Sequence, residues 1–117
     1  MKEGLTIHEA AETTGWSARM LRYLEGAGLV EAPRSASGYR VYGPAELQRL
    51  RTLRELLQRF DCALSDVAFA RRMTVDPSLS DALARWFSER PERPAGVPSS
   101  DWLRWEQEKH ERLLAAV

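Results

Sequence analysis

Cysteine is nearly absent. Cys62 is the only one in 117 residues, so no internal disulfide can form. Zinc and copper need several convergent thiolates or imidazoles, and His8 and His110 lie far from Cys62 in sequence. Cys62 is therefore read as a buried or incidental thiol, and neither a metal nor a cofactor is expected. No apolar run approaches the roughly 20 residues needed to cross a bilayer, and nothing after Met1 reads as a charged segment leading into an apolar one. The expectation is a cytoplasmic protein with no membrane partner. Catalytic constellations are missing too: there is no Ser-His-Asp or Cys-His set, paired carboxylate site, P-loop or dinucleotide fingerprint, so an enzyme is not expected. Net charge is zero, with 17 basic and 17 acidic side chains, which argues against indiscriminate polyanion binding.

What is present is unevenly placed. Residues 17–59 hold eight arginines against four glutamates, a net +4, whereas residues 73–117 sum to −2. Charge alone leaves a solvated arginine-rich helix open. The pattern of the segment says more. Thr6 followed by Glu9 is a capping box that opens a helix bearing Ile7, Ala10, Ala11 and Thr14 on one face, and Gly15 stops it. Ser17 can cap a second helix that ends at Gly26 and Gly28. Two short helices around a tight glycine-containing turn suggest helix-turn-helix geometry. At about 100° per residue, Arg19, Arg22 and Tyr23 share one face of the second helix while Leu21 and Leu24 share the other. Guanidinium forks suit guanine edges or phosphates, and a tyrosine hydroxyl can reach a phosphate, so this face is read as a DNA-recognition surface.

Beyond it, Pro33 and the run Ser-Ala-Ser-Gly mark a turn, and "YRVY" alternates like a short strand. A two-stranded wing follows as an expectation, with Tyr39 and Arg40 toward DNA and Val41 and one tyrosine packed inward. Pro44 then opens a helix whose Leu47, Leu50, Leu53, Leu57 and Phe60 form an apolar stripe, and Leu64, Val67 and Ala68 continue it in a further short helix. Among the arginines of this helix, Arg59 is given a phosphate contact.

The segments "LTIHEAAETTGWSARMLRYLEGAGLV", "SGYRVYGPAELQRLRTLRELLQRF" and "ALSDV" resemble the MerR family of bacterial transcription regulators over residues 5 to 72. The resemblance implies a mainly α fold: a winged helix-turn-helix DNA-binding domain with a small β-hairpin wing, over residues 1–73, followed by short C-terminal helices. It also implies a homodimer on a pseudo-palindromic promoter in double-stranded DNA, distortion of that DNA, and RNA polymerase as a further partner there. Ser17, Arg19, Arg22, Tyr23, Tyr39, Arg40 and Arg59 are the DNA-binding candidates. Three departures stand out. Leu24 occupies the place of a frequent second aromatic, Ala63 the place of a helix-capping serine, and the long coiled-coil helix of the family is missing.

The tail, residues 74–117, is a dimerisation or effector segment in this reading, the effector itself being unspecified. Asp76 and Pro77 start a helix with Leu79, Leu83, Trp86 and Phe87 on one face, "PERPAGVPSS" connects, and a last helix begins near Ser100 or Asp101. Leu83, Trp86, Phe87, Trp102, Trp105 and Leu113 are the dimerisation candidates, with packing onto the chain's own domain or an aromatic effector pocket as the other uses of the tryptophans. A second reading of the whole chain is a protein-interaction adaptor that uses the aromatic tail and carries a decayed DNA-binding domain.

Overall fold

The structure, a computed structural model, describes residues 4–115. Its elements are α1 (Ile7–Thr14), α2 (Ala18–Gly26), α3 (Pro44–Arg59), α4 (Asp66–Val75), α5 (Pro77–Ser88), a short 3-10 turn (Ser99–Asp101) and α6 (Trp102–Ala115). Local chemistry sets most of these boundaries. The Thr6 hydroxyl accepts from Glu9 N–H at 3.2 Å while the Glu9 carboxylate accepts from Thr6 N–H at 3.1 Å, which closes the capping box of α1. Gly15 ends that helix at φ 83°, a conformation L side chains rarely adopt. Pro44 starts α3 where no amide hydrogen is required, and the Asp76 carboxylate caps α5 through Leu79 N–H at 3.2 Å.

The centre of the molecule is α3. Leu47, Leu50, Leu53, Leu56 and Leu57 are all buried, and they meet Leu5, Ala10, Met20, Leu21 and Leu24 from the amino-terminal elements. Leu79, Ala82, Leu83 and Trp86 of α5 join the same core, and α6 packs along both α3 and α1. A fully buried leucine contributes about 1.5–3 kcal/mol and an exposed ion pair about 0–1, so this apolar stripe rather than the surface charges holds α3 in place.

Two expectations change in detail. Where a two-stranded wing is expected, no extended strand pair is seen among the described residues: residues 33–41 form a tight turn with one isolated antiparallel bridge, Arg34 to Arg40. Ser35 N–H donates to Tyr39 C=O at 2.8 Å and Val41 N–H to Pro33 C=O at 2.8 Å. Pro33 has no N–H to return, and the next residue, Tyr42, bridges to Leu5 instead, so the ladder stops. The second correction concerns α4, where Val67 is 77% exposed and Phe69 is the buried residue. Ser65, not residue 63, caps this helix by accepting from Ala68 N–H at 3.2 Å, which turns Leu64 and Val67 outward.

Candidate nucleic-acid interface

The surface begins at Ser17, whose hydroxyl oxygen accepts from Met20 N–H at 3.0 Å and so starts α2. Its hydroxyl hydrogen is left to donate outward. Helix periodicity then buries Met20, Leu21 and Leu24 and puts Arg19 and Arg22 in solvent. Tyr23 lies between the two sides. Its ring meets the buried Phe69 ring edge-on, 6.2 Å apart at 88°, which fixes the tyrosine and joins α2 to α4.

Carboxylates of the chain itself hold several of these arginines. The Arg19 side chain is 82% exposed, yet its Nη2 lies 3.1 Å from the Asp66 carboxylate at the start of α4. Glu25, near the end of α2, receives two partners: Arg34 Nη2 at 2.6 Å on one oxygen and Arg40 Nε on the other. That double pairing fastens the 33–41 turn to α2. Tyr39, at the far end of the turn, is 74% exposed, while its backbone N–H donates to Ser35 Oγ at 3.2 Å. The inward tyrosine is Tyr42. Burial first, and the Glu25 carboxylate second, push its phenol above the ordinary value of 10.0, and the hydroxyl is buried without a hydrogen-bond partner among the described residues.

The turn and α2 thus bring Ser17, Arg19, Arg22, Tyr23, Tyr39 and Arg40 onto elements that are tied together. Arg59 lies elsewhere: its guanidinium is 5.9 Å from the Phe60 ring and borders the groove between α3 and α5, beside Ala82 and Arg85. The sequence reading missed Arg34, Glu25 and Asp66. An acidic residue inside an otherwise basic stretch was the available signal for Glu25.

The dimerisation candidates divide. Leu83 and Trp86 lie inside the chain's own core, and Trp86 Nε1 donates to Arg49 C=O at 3.1 Å and to Thr52 Oγ1 at 3.0 Å. The face of α5 that bears them rests on α3, so they are not surface groups. Trp102 and Trp105 are half-buried, the latter under Lys109 Nζ at 4.5 Å, whereas Phe87 is 45% and Leu113 43% exposed.

No helix among the described residues is long and apolar enough to cross a membrane. Nor does any group of three or more His, Cys, Asp or Glu side chains among them stand together as metal ligands. Burial also pushes the Cys62 thiol above its ordinary value of 9.0, which disfavours the thiolate that a soft metal requires.

The family described as "MerR HTH family regulatory protein" matches residues 5–68. Among similar proteins, the HTH-type transcriptional regulator HmrR of Sinorhizobium medicae is 43% identical over 51 residues, which are 43% of this chain and 35% of that protein. A probable heavy metal-dependent transcriptional regulator of Haemophilus influenzae is 45% identical over 51 residues, 43% of this chain and 40% of that one. The matched segment therefore spans well under half the length of either relative.

Proposed function

This chain belongs to the MerR HTH family of regulatory proteins, and we propose that it acts as a sequence-specific transcriptional regulator that binds double-stranded DNA through α2 and the 33–41 turn. The observation that carries this reading is the outward pair Arg19 and Arg22 on a helix whose opposite side is core, with the turn bearing Tyr39 and Arg40 locked to it by Glu25. A helix so presented fits the major groove, where a guanidinium can make a bidentate pair with guanine. Ser17, Tyr23 and Tyr39 supply phosphate contacts, and the turn serves as the wing that lies along the backbone.

One copy of such a module covers roughly 600–1,000 Å² of DNA, a small interface for a specific regulator. The protein acts as a homodimer on a pseudo-palindromic promoter, in the company of RNA polymerase, and distorts the DNA between the half-sites. Residues 74–117 supply the dimer contact, with exposed Phe87 and Leu113 and half-buried Trp102 and Trp105 as its apolar surface. The metal dependence in the name of the Haemophilus influenzae relative is said of that protein and is not carried over.

Selection of bound duplexes from a random library, followed by titration of the winning sequence, tests the reading. Arg19→Ala or Arg22→Ala should weaken binding to that sequence by about 1–3 kcal/mol while leaving the fold intact. Failure of the wild-type chain to enrich any sequence would overturn it.

A further inference from the structure

The geometry points to a second binding site, on the cleft walled by α1, α3 and α6, which takes a small oxyanion, a carboxylate or a phosphate, on the guanidinium of Arg54. The cleft has a volume of about 170 Å³, and Thr13, Arg51, Arg54, Glu55, His110 and Leu113 are among the residues that line it. Drug-sized ligands occupy roughly 300–1,000 Å³, so this space suits a small anion.

Arg54 is the reason to expect an anion. Its side chain is half-buried, its Nε is buried with no partner, and among the described residues it makes no hydrogen bond or ion pair. Of the other half-buried arginines, Arg40 is matched by Glu25 and Arg72 by Asp76, while Arg49 donates Nη1 to Glu89 C=O at 2.7 Å and lies over the Trp86 ring. Arg51, beside it in the cleft, gives Nη1 to Glu55 at 2.8 Å but also leaves a buried Nε unpartnered. Glu55 thus answers Arg51 and leaves the charge of Arg54 uncompensated. Glu106, on α6, is already engaged by His110, Lys109 and Trp102.

The guanidinium is also held in position. A Cβ at Gly15 would come within 3.1 Å of Arg54 Cζ and of Leu114 Cδ2, so the planar group lies against the α1–α2 turn, beside the place where the last helix meets it. A preorganised, partly desolvated fork with open donors binds an oxyanion more strongly than a lysine or arginine moving freely in water. Because the walls come from α1, α3 and α6, an anion there would bind the tail more firmly to the amino-terminal helices.

Calorimetric titration of the full chain with inorganic phosphate in one arm and malonate in the other tests this without DNA, so its outcome is independent of the regulator reading. One saturable site is expected in at least one arm, and the arm identifies the class of anion. Arg54→Gln should weaken that binding about tenfold or more, whereas Arg85→Gln, on the exposed side of α5, should bind as the wild type does. Arg54→Lys keeps the charge but not the fork, so it retains the fold and binds with reduced affinity. The thermal midpoint of the wild type should rise with the bound anion. Absence of saturable binding in both arms, or equal affinity in Arg54→Gln or Arg54→Lys and wild type, would overturn the assignment.

Discussion

Trp16 and Trp86 donate into consecutive carbonyls of one helix: Trp16 Nε1 to Leu50 C=O at 2.9 Å and Trp86 Nε1 to Arg49 C=O at 3.1 Å. Neighbouring residues of a helix are about 100° apart around its axis, so the two indoles reach α3 from different sides. One comes from the α1–α2 turn and the other from α5, and α3 is the wall they share.

Both tryptophans should therefore matter to one cooperative unfolding transition. Trp16→Ala and Trp86→Ala should each cost roughly 3–5 kcal/mol, and the Phe variants less, since they lose mainly a hydrogen bond worth about 0.5–1.5. Urea denaturation followed by circular dichroism measures this. A Trp86→Ala protein with an unchanged midpoint would mean that α5 does not contribute to the stability of the rest.

Tyr42 gives the opposite sign. Its ring is buried but its hydroxyl lacks a partner among the described residues, which carries a desolvation cost of about 1–3 kcal/mol. Tyr42→Phe should leave stability unchanged or raise it by up to about that amount, as read from the thermal midpoint. A clear loss would show that the hydroxyl has a partner, such as an ordered water.

Asp66 competes with DNA for Arg19. Asp66→Asn removes the competing charge, and since an exposed pair is worth at most about 1 kcal/mol, affinity for the selected duplex should rise between about two- and fivefold. The same change removes a favourable charge from the first turn of α4, so the fold should lose up to about 1 kcal/mol. Fluorescence anisotropy reads the first effect and denaturation the second; weaker DNA binding in a folded variant would place Asp66 in a supporting role instead.

Gly38 sits at φ 84° with open space where a Cβ would go, so a side chain there is opposed by backbone conformation and not by collision. Gly38→Val should displace Tyr39 and Arg40 and lower affinity for matched and mismatched duplexes by the same factor. If binding survives intact, the turn does not touch DNA.

Acid should release the last helix. Burial pushes the Glu106 carboxyl up, but the His110 ring nitrogen at 3.2 Å and the Lys109 ammonium outweigh it and hold the group below the ordinary 4.5. Asp76 is likewise held below 3.8, chiefly by the Leu79 N–H and then by Arg72. A carboxylate with a lowered folded pKa stabilises the fold above its unfolded value, and that contribution is lost as pH falls through the folded one. Tryptophan fluorescence should therefore change as pH drops below about 4.5, and less so in Glu106→Gln. Equal acid sensitivity in that variant would exclude Glu106 as the trigger.

Features set by neighbours in the chain were legible from the residues alone: the Thr6–Glu9 box, Pro44, and the Asp76–Pro77 start each act within one turn of helix. Features set by distant elements were not. Glu106 and His110, four apart on a charged helix, look like a solvated pair, and only the packing of α6 on α1 and α3 buries them. The apolar pattern continuing through Val67 gave no warning that Ser65 would cap α4 and turn that residue outward. For the candidate site, helix periodicity separated Arg19 and Arg22 from Leu21 and Leu24. The tie from Asp66 to Arg19 crosses 47 residues of sequence and has no local signature.

Those tethered carboxylates change how the arginines would behave as ion exchangers. When a free arginine meets a phosphate, the cation condensed on the DNA leaves to bulk water, and each such contact steepens the dependence of affinity on salt. If DNA draws Arg19 from Asp66, the vacated carboxylate attracts a cation in turn, so the net release is smaller than the contact count. A shallow salt dependence on this protein would then coexist with an extensive phosphate interface.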